Sequence, residues 1–154
     1  MASSVSTDKI ATEYLFQYWD HDPGSTNAIM CSPDGGTTIR YVDMRDYDAF
    51  ACIVAAAALS GSGVTLAEIV ASDAVTFSNK VVIKTSGTIA ADALADWAFL
   101  ECTAEEIAHL ATTYDLRYVA ARITCQNAAD EATAVYFAIP KRPHDTLTAA
   151  TTIS

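Results

Sequence analysis

Chemistry in this chain would have to come from its three histidines, its four cysteines and any carboxylates that converge. His21 lies between Asp20 and Asp22, just before Pro23-Gly24. Neighbours on an extended chain point to opposite sides, so these three do not gather on one metal ion, and the triplet reads as a polar turn. His109 falls two residues after Ile107 on a helical pattern, at its surface or rim, and His144 belongs to the C-terminal tail. None sits beside a Ser or Cys nucleophile, so triad-type hydrolysis has no support.

Cys31, Cys52, Cys102 and Cys125 are spaced 21, 50 and 23 residues apart and form no CxxC or CxH pair. Zinc spacing is therefore missing. The expectation is four reduced, buried, small hydrophobes. Ser60-Gly-Ser-Gly63 and Asp34-Gly-Gly36 are glycine-rich without the context of a phosphate-binding loop, and read as turns. Asp20, Asp22, Asp43, Asp46 and Asp48 have no EF-hand spacing for calcium. Glu105 and Glu106 are explained by helix capping and the helix dipole. Arg117 and Arg122 fall on opposite faces of one strand, with Arg122 outward beside Tyr118 and Thr124, placed to pair with an acidic neighbour. These patterns describe no active site, and no enzyme, cofactor or metal is expected.

The chain has 154 residues, 51% of them hydrophobic and 18% charged, with nine basic residues against nineteen acidic ones and a net charge of −10. That suits one domain able to bury a real core, and argues against partners that are nucleic acid or a membrane surface. No apolar run reaches transmembrane length, and the first eight residues have neither a basic nor an apolar stretch, so no secretory signal is expected. The 29 alanines and 18 threonines against six glycines fit a protein that packs against copies of itself or a partner.

Alternation places the elements. Leu116–Cys125 puts Val119, Ala121, Ile123 and Cys125 on one face. Ala132–Ile139 opposes Val135, Phe137 and Ile139 to Ala134, Tyr136 and Ala138. The polar stretch from Gln126 to Glu131 predicts a hairpin between these two strands. Another hairpin is predicted between Asp48–Leu59 and Val64–Val70, turning through Ser60–Gly63, with Phe50, Cys52 and Val54 facing away from Ala51, Ile53 and Ala55; the small residues would mark a close contact between sheets. Lys80–Thr85 and Asp96–Cys102 add further strands. Thr103-Ala-Glu-Glu106 has the capping-box form and opens one short helix, whose face carries Ile107, Leu110 and Ala111 and which ends before Tyr114. The fold expected is all-β: an antiparallel, jelly-roll-like sandwich over 26–140, with one short helix, an N-terminal arm over 1–25 and a C-terminal tail over 141–154.

From about residue 39 to 145 the order of segments resembles a family of small tailed-phage virion proteins. The resemblance is carried by Met44–Val54, by Ser60-Gly-Ser-Gly-Val-Thr-Leu-Ala-Glu-Ile-Val-Ala-Ser-Asp73, by Leu116-Arg-Tyr-Val-Ala-Ala-Arg-Ile123, and by Ala134-Val-Tyr-Phe-Ala-Ile-Pro-Lys-Arg-Pro143. The family's Arg-Tyr-Val-Arg strand has Ala120 in place of its second arginine here, with Arg122 two places on, and Tyr14–Trp19 has no counterpart in the pattern. The resemblance implies a structural role as a capsid decoration (cement) protein on the outer surface of a phage head. Its partners would be the major capsid protein and copies of itself, as a homotrimer. Tyr14, Phe16, Tyr18, Trp19, Pro140 and Arg142 are the candidate contacts between chains, and deletion of residues 1–20 is expected to leave the core folded while abolishing binding to capsids. The rival readings are a tail or head–tail joining protein, and a carbohydrate-binding sandwich that presents Tyr118 and Tyr136 on an outward face.

Overall fold

A computed structural model describes residues 15–58, 63–89 and 97–141. Nine strands and one helix follow in the order β1 (Leu15–His21), β2 (Ile29–Met30), β3 (Val42–Asp43), β4 (Tyr47–Ala58), β5 (Val64–Ser72), β6 (Val81–Thr85), β7 (Trp97–Thr103), α1 (Ala104–Leu110), β8 (Tyr118–Cys125) and β9 (Glu131–Pro140). They form two antiparallel sheets. Sheet I has the order β1-β9-β4-β7; sheet II has the order β2-β8-β5-β6, with β3 also on β8. The fold is an all-β sandwich with, among the described residues, one α-helix and a 3-10 turn at Met44–Asp46.

The pairings have a simple logic. β1 pairs with β9, β2 and β3 with β8, β4 with β7, and β5 with β6. This is one long hairpin rolled up until β4 also meets β9 and β5 also meets β8, the double Greek key of a jelly roll. The chain therefore crosses between sheets at most of its reversals, the β5–β6 hairpin within sheet II being an exception. The two hairpins expected from the turn signals do not form: β4 and β5 lie in different sheets, as do β8 and β9. Turn residues mark where a chain reverses; they do not choose the sheet it re-enters.

The core fills the space between the sheets. Phe50, Cys52 and Val54 of β4 and Ala134, Tyr136 and Ala138 of β9 face Ile69 and Ala71 of β5 and Val119, Ala121 and Ile123 of β8. Phe50 and Tyr136 meet edge to face at 5.0 Å, the arrangement aromatic quadrupoles prefer. The Tyr136 hydroxyl crosses the core, accepting from Ala121 N–H at 2.8 Å and donating to the Arg40 carbonyl at 3.2 Å. It supplies the partner that Ala121 N–H lacks where β2 ends and the chain swings out before β3. All four cysteines are free and buried.

Thr103 and Glu106 form the predicted capping box at the head of α1, with both reciprocal bonds present. Ile107 goes into the core while Leu110 stays exposed. The N-terminal boundary moves. Residues 15–21, expected in an arm, are an edge strand of sheet I paired along their whole length with β9. Deleting residues 1–20 would strip that strand from the sheet, so it is not a neutral truncation. His21, expected in a polar turn, ends β1 with its ring buried, because the alternation of Leu15, Gln17 and Trp19 turns it inward.

Candidate interaction surface

Register sets out the outer face of sheet I as a grid. One rung reads Phe16, Phe137, Ala51, Glu101 across β1, β9, β4 and β7. The next reads Tyr18, Val135, Ile53, Phe99, and the third Asp20, Thr133, Ala55, Trp97. Ile139 and Ala49 extend the middle strands by one further pair. The strands fold this way because their other faces, with Phe50, Cys52, Val54, Tyr136, Ala98 and Cys102, fill the core, and period-2 alternation sends the remainder outward.

The outward set is apolar and wet. Phe16, Tyr18, Trp97, Phe99 and Ile139 are each about half or more exposed. Phe16 and Phe137 pack edge to face at 5.1 Å, which stiffens one margin. The Tyr18 hydroxyl donates to Asp20 at 2.9 Å. Isolated exposed apolar residues need no explanation, but a contiguous apolar patch spanning a whole sheet marks an interaction site.

The candidates named from sequence are divided by this geometry. Phe16 and Tyr18 stand on the outer face. Trp19 points the other way, half-buried against the core with the Arg40 guanidinium 4.7 Å from its ring centre. Pro140 closes β9 opposite Tyr47. Tyr14 and Arg142 lie outside the described residues, as does His144. Trp97, Phe99, Ile53, Val135, Phe137 and Ile139 had not been singled out. The available signal was in β9 and β7, where bulky apolar residues fall on both faces of a strand in an antiparallel fold that needs only one buried face.

Other chemistry is arranged structurally. Among the described residues no three His, Cys, Asp or Glu side chains could hold a metal ion. Asp43 takes the Arg117 guanidinium on two oxygens, with Nε at 2.8 Å, and Arg45 as well, and these partners hold its carboxyl well below the usual range. Arg122 and Glu68 pair at 2.6 Å across β8 and β5, both largely covered, as the outward position of Arg122 predicted. Burial raises the thiols of Cys31 and Cys125 to about 11 and Cys102 to about 12, so they are poor nucleophiles at neutral pH.

One cluster carries the residue types of a triad without its geometry. His21 Nδ1 accepts from the backbone N–H of Ser32 at 3.3 Å, while the Ser32 hydroxyl donates to Asp34 at 2.5 Å and accepts from the N–H groups of Asp34 and Gly36. The serine hydroxyl never meets the imidazole, and Ser32 is buried. Its carboxylate partner is held to about 2 by the hydroxyls of Ser32 and Thr38. The group builds the Asp34-Gly-Gly36 turn, in which Gly35 and Gly36 take left-handed φ of 65° and 91°. Two open concavities of about 440 and 430 Å³ flank α1. Several of their charged lining residues are already committed, Lys84 to Glu106 at 2.5 Å and Arg117 to Asp43.

The aromatic pair offered for carbohydrate does not exist as an outward pair. Tyr136 is fully buried, and Tyr118 stacks edge to face on Tyr41 at 5.3 Å on the other sheet. No protein-family model and no curated protein matches this chain.

Proposed function

We propose that this chain is a virion structural protein of the capsid-decoration type, holding the outside of a phage head by contacts to the major capsid protein and to copies of itself. The observation that carries the reading is the outer face of sheet I, an exposed apolar grid built by a rigid sandwich. Such a surface works by association between proteins. The sequence resemblance supplies the phage head, and the jelly roll is compatible with it. That fold also serves lectin and cupin domains, so it does not choose between roles by itself. A net charge of −10 keeps free copies soluble and complements a basic shell. Many weak contacts repeated by symmetry then give firm attachment.

A tail or head–tail joining protein would use the same face to close a ring. A carbohydrate-binding role would have to rest on Trp97 and Phe99 in place of the lost tyrosine pair, and their rungs offer few of the polar groups that orient a sugar. The test is to mix purified protein with empty heads assembled from the capsid protein of the same phage genome, and to sediment them. Saturable co-sedimentation is expected, with heads gaining heat resistance. Absence of binding at micromolar protein overturns the reading.

A further inference from the structure

We propose that the outer face of sheet I docks face to face on the same face of a second copy of this chain, about a two-fold axis lying in the plane between the two sheets. The proposal rests on the reading above only in treating this face as a contact between chains; the phage head plays no part in it.

Area is the first argument. At about 200 Å² per large ring, the exposed fractions of Phe16, Tyr18, Trp97 and Phe99 leave about 440 Å² of aromatic surface in water. Ile139 and the half-covered aliphatics between them bring the face to roughly 700 Å², above the few hundred Å² expected on a monomer and near the ~800 Å² per partner of a standard interface.

Shape is the second. Along β4 the outward residues are Ala49, Ala51, Ile53 and Ala55, a shallow trough between the bulkier Val135, Phe137 and Ile139 of β9 and the aromatic ridge of Trp97 and Phe99 on β7. Two facing sheets pack about 10 Å apart by interdigitating large side chains with small ones. A ridge beside a trough on a single face supplies both halves of that fit.

Charge placement is the third and the most specific. The grid has two acidic corners, Asp20 on β1 and Glu101 on β7, and they lie on a diagonal; Phe16 and Trp97 occupy the other two. A two-fold axis parallel to the strands sets Asp20 over the partner copy's β7 corner at Trp97, and Glu101 over Phe16. A two-fold across the strands sets Asp20 over Phe16 and Glu101 over Trp97. Either operation keeps carboxylate away from carboxylate and leaves every acid at the rim in solvent. A chain of net charge −10 repels its copies nearly everywhere else, so this arrangement directs association to one face. A two-fold contact is isologous and closes at two copies. This face therefore builds a dimer, in contrast to the trimer expected from the resemblance.

The experiment is light scattering on the purified full chain at 5–100 µM, together with Phe99→Asp and Phe16→Asp variants. The concentrations are set at about the micromolar range typical of modest interfaces. The expected mass for the parent is twice the 16.4 kDa of one chain, and each aspartate should raise the dissociation constant at least about tenfold. Both positions are half-exposed, and circular dichroism and the melting midpoint check that the variants fold. Ile53 sits near the two-fold in either orientation, so an Ile53→Cys variant with a short bis-maleimide should give a covalent dimer while the four buried native thiols stay silent. A monomer across the range, a trimer, or a dimer unmoved by both aspartates overturns the proposal. Capsid co-sedimentation can still succeed in each of those cases, so the two readings fail separately.

Discussion

The two sheets have outer faces of similar apolar character and opposite fates. On sheet II, Val70 of β5 and Ala120 of β8 are fully covered by Phe77, Met30 and Ile39, which form a second small core outside the main one. Phe77 reaches over the sheet from a turn that takes a left-handed φ of 52°, a conformation costly for a bulky residue and retained where surrounding packing over-determines it. The Glu68–Arg122 pair completes that cover. On sheet I the outward side chains are larger, and among the described residues nothing lies over them. A sheet with two apolar faces needs two covers. The chain's own loops supply one on sheet II, and on sheet I we propose that the second is another copy of the chain.

Among truncations, the largest expected effect breaks the cover that exists. Phe77→Ala should cost about 3–5 kcal/mol, because it empties a closed cluster that cannot collapse fully, whereas Phe99→Ala should change the unfolding free energy of the monomer by less than about 0.5 kcal/mol. Urea titrations of the two variants compare the faces directly; equal losses would mean that sheet I is covered within the monomer after all.

Next comes the ion pair of sheet II. Arg122→Ala leaves the largely covered Glu68 carboxylate without its partner and should cost about 2 kcal/mol, short of the 3–5 kcal/mol of a fully buried pair because both groups keep some contact with water. Arg45→Ala, at the exposed end of the Asp43 network, should fall within about 0.5 kcal/mol. If the two variants unfold at the same urea concentration, the Glu68 site is wetter than the structure places it.

Acid probes the seam between the two regions. His21 ends the edge strand of bare sheet I and is bonded to Ser32, in the segment that leads to Ile39 and the cover of sheet II. Burial lowers its pKa from 6.5 to about 4. The unfolded chain then takes up the proton first, so stability is complete above pH 6.5 and falls as pH drops towards 4. The loss reaches about 3 kcal/mol at one pKa unit per 1.4 kcal/mol. Asp34 and Asp43, whose pKa values are depressed by their hydrogen-bond partners, begin to cost stability as pH falls into the ordinary carboxylate range, and cost more below it. His21→Phe should flatten the slope between pH 6.5 and 4 and leave the more acidic loss in place. A slope that persists in that variant would assign it elsewhere.

What could be read from the residues follows the range of the physics involved. The Thr103–Glu106 capping box and the Asp34-Gly-Gly36 turn are decided by chemistry within four residues, and both stand as expected. The strands read as Leu116–Cys125 and Ala132–Ile139 are visible from alternation, which is also local, the first starting two residues later in the structure. Their pairing is not, since the jelly roll sends the reversals after β4 and β8 into the other sheet through contacts far apart in sequence. The interaction face was obscured by a rule of bulk. In β9 the three large residues Val135, Phe137 and Ile139 look like the buried set beside Ala134, Tyr136 and Ala138, yet the latter face the core. Tyr136 fills the space its alanine neighbours leave, and its hydroxyl finds two backbone partners there.

The smallest effect is also the sharpest for the comparison. On a covered face an aspartate is ruinous, because an ionised carboxylate loses water without gaining a partner. On a bare face of a monomer it costs almost nothing. Val70→Asp on sheet II and Phe99→Asp on sheet I differ in burial, fully closed against about half exposed. The first should abolish folding, while the second should melt within a degree or two of the parent when both are dilute enough to be monomeric. At higher concentration the parent alone should gain stability, since a partner that binds only the native state raises the midpoint by mass action. The midpoint of the parent rising with concentration, and that of Phe99→Asp staying flat, is therefore the expected outcome. If both stay flat, the sheet I face remains wet at every concentration reached, and its exposed rings must await a partner other than a second copy.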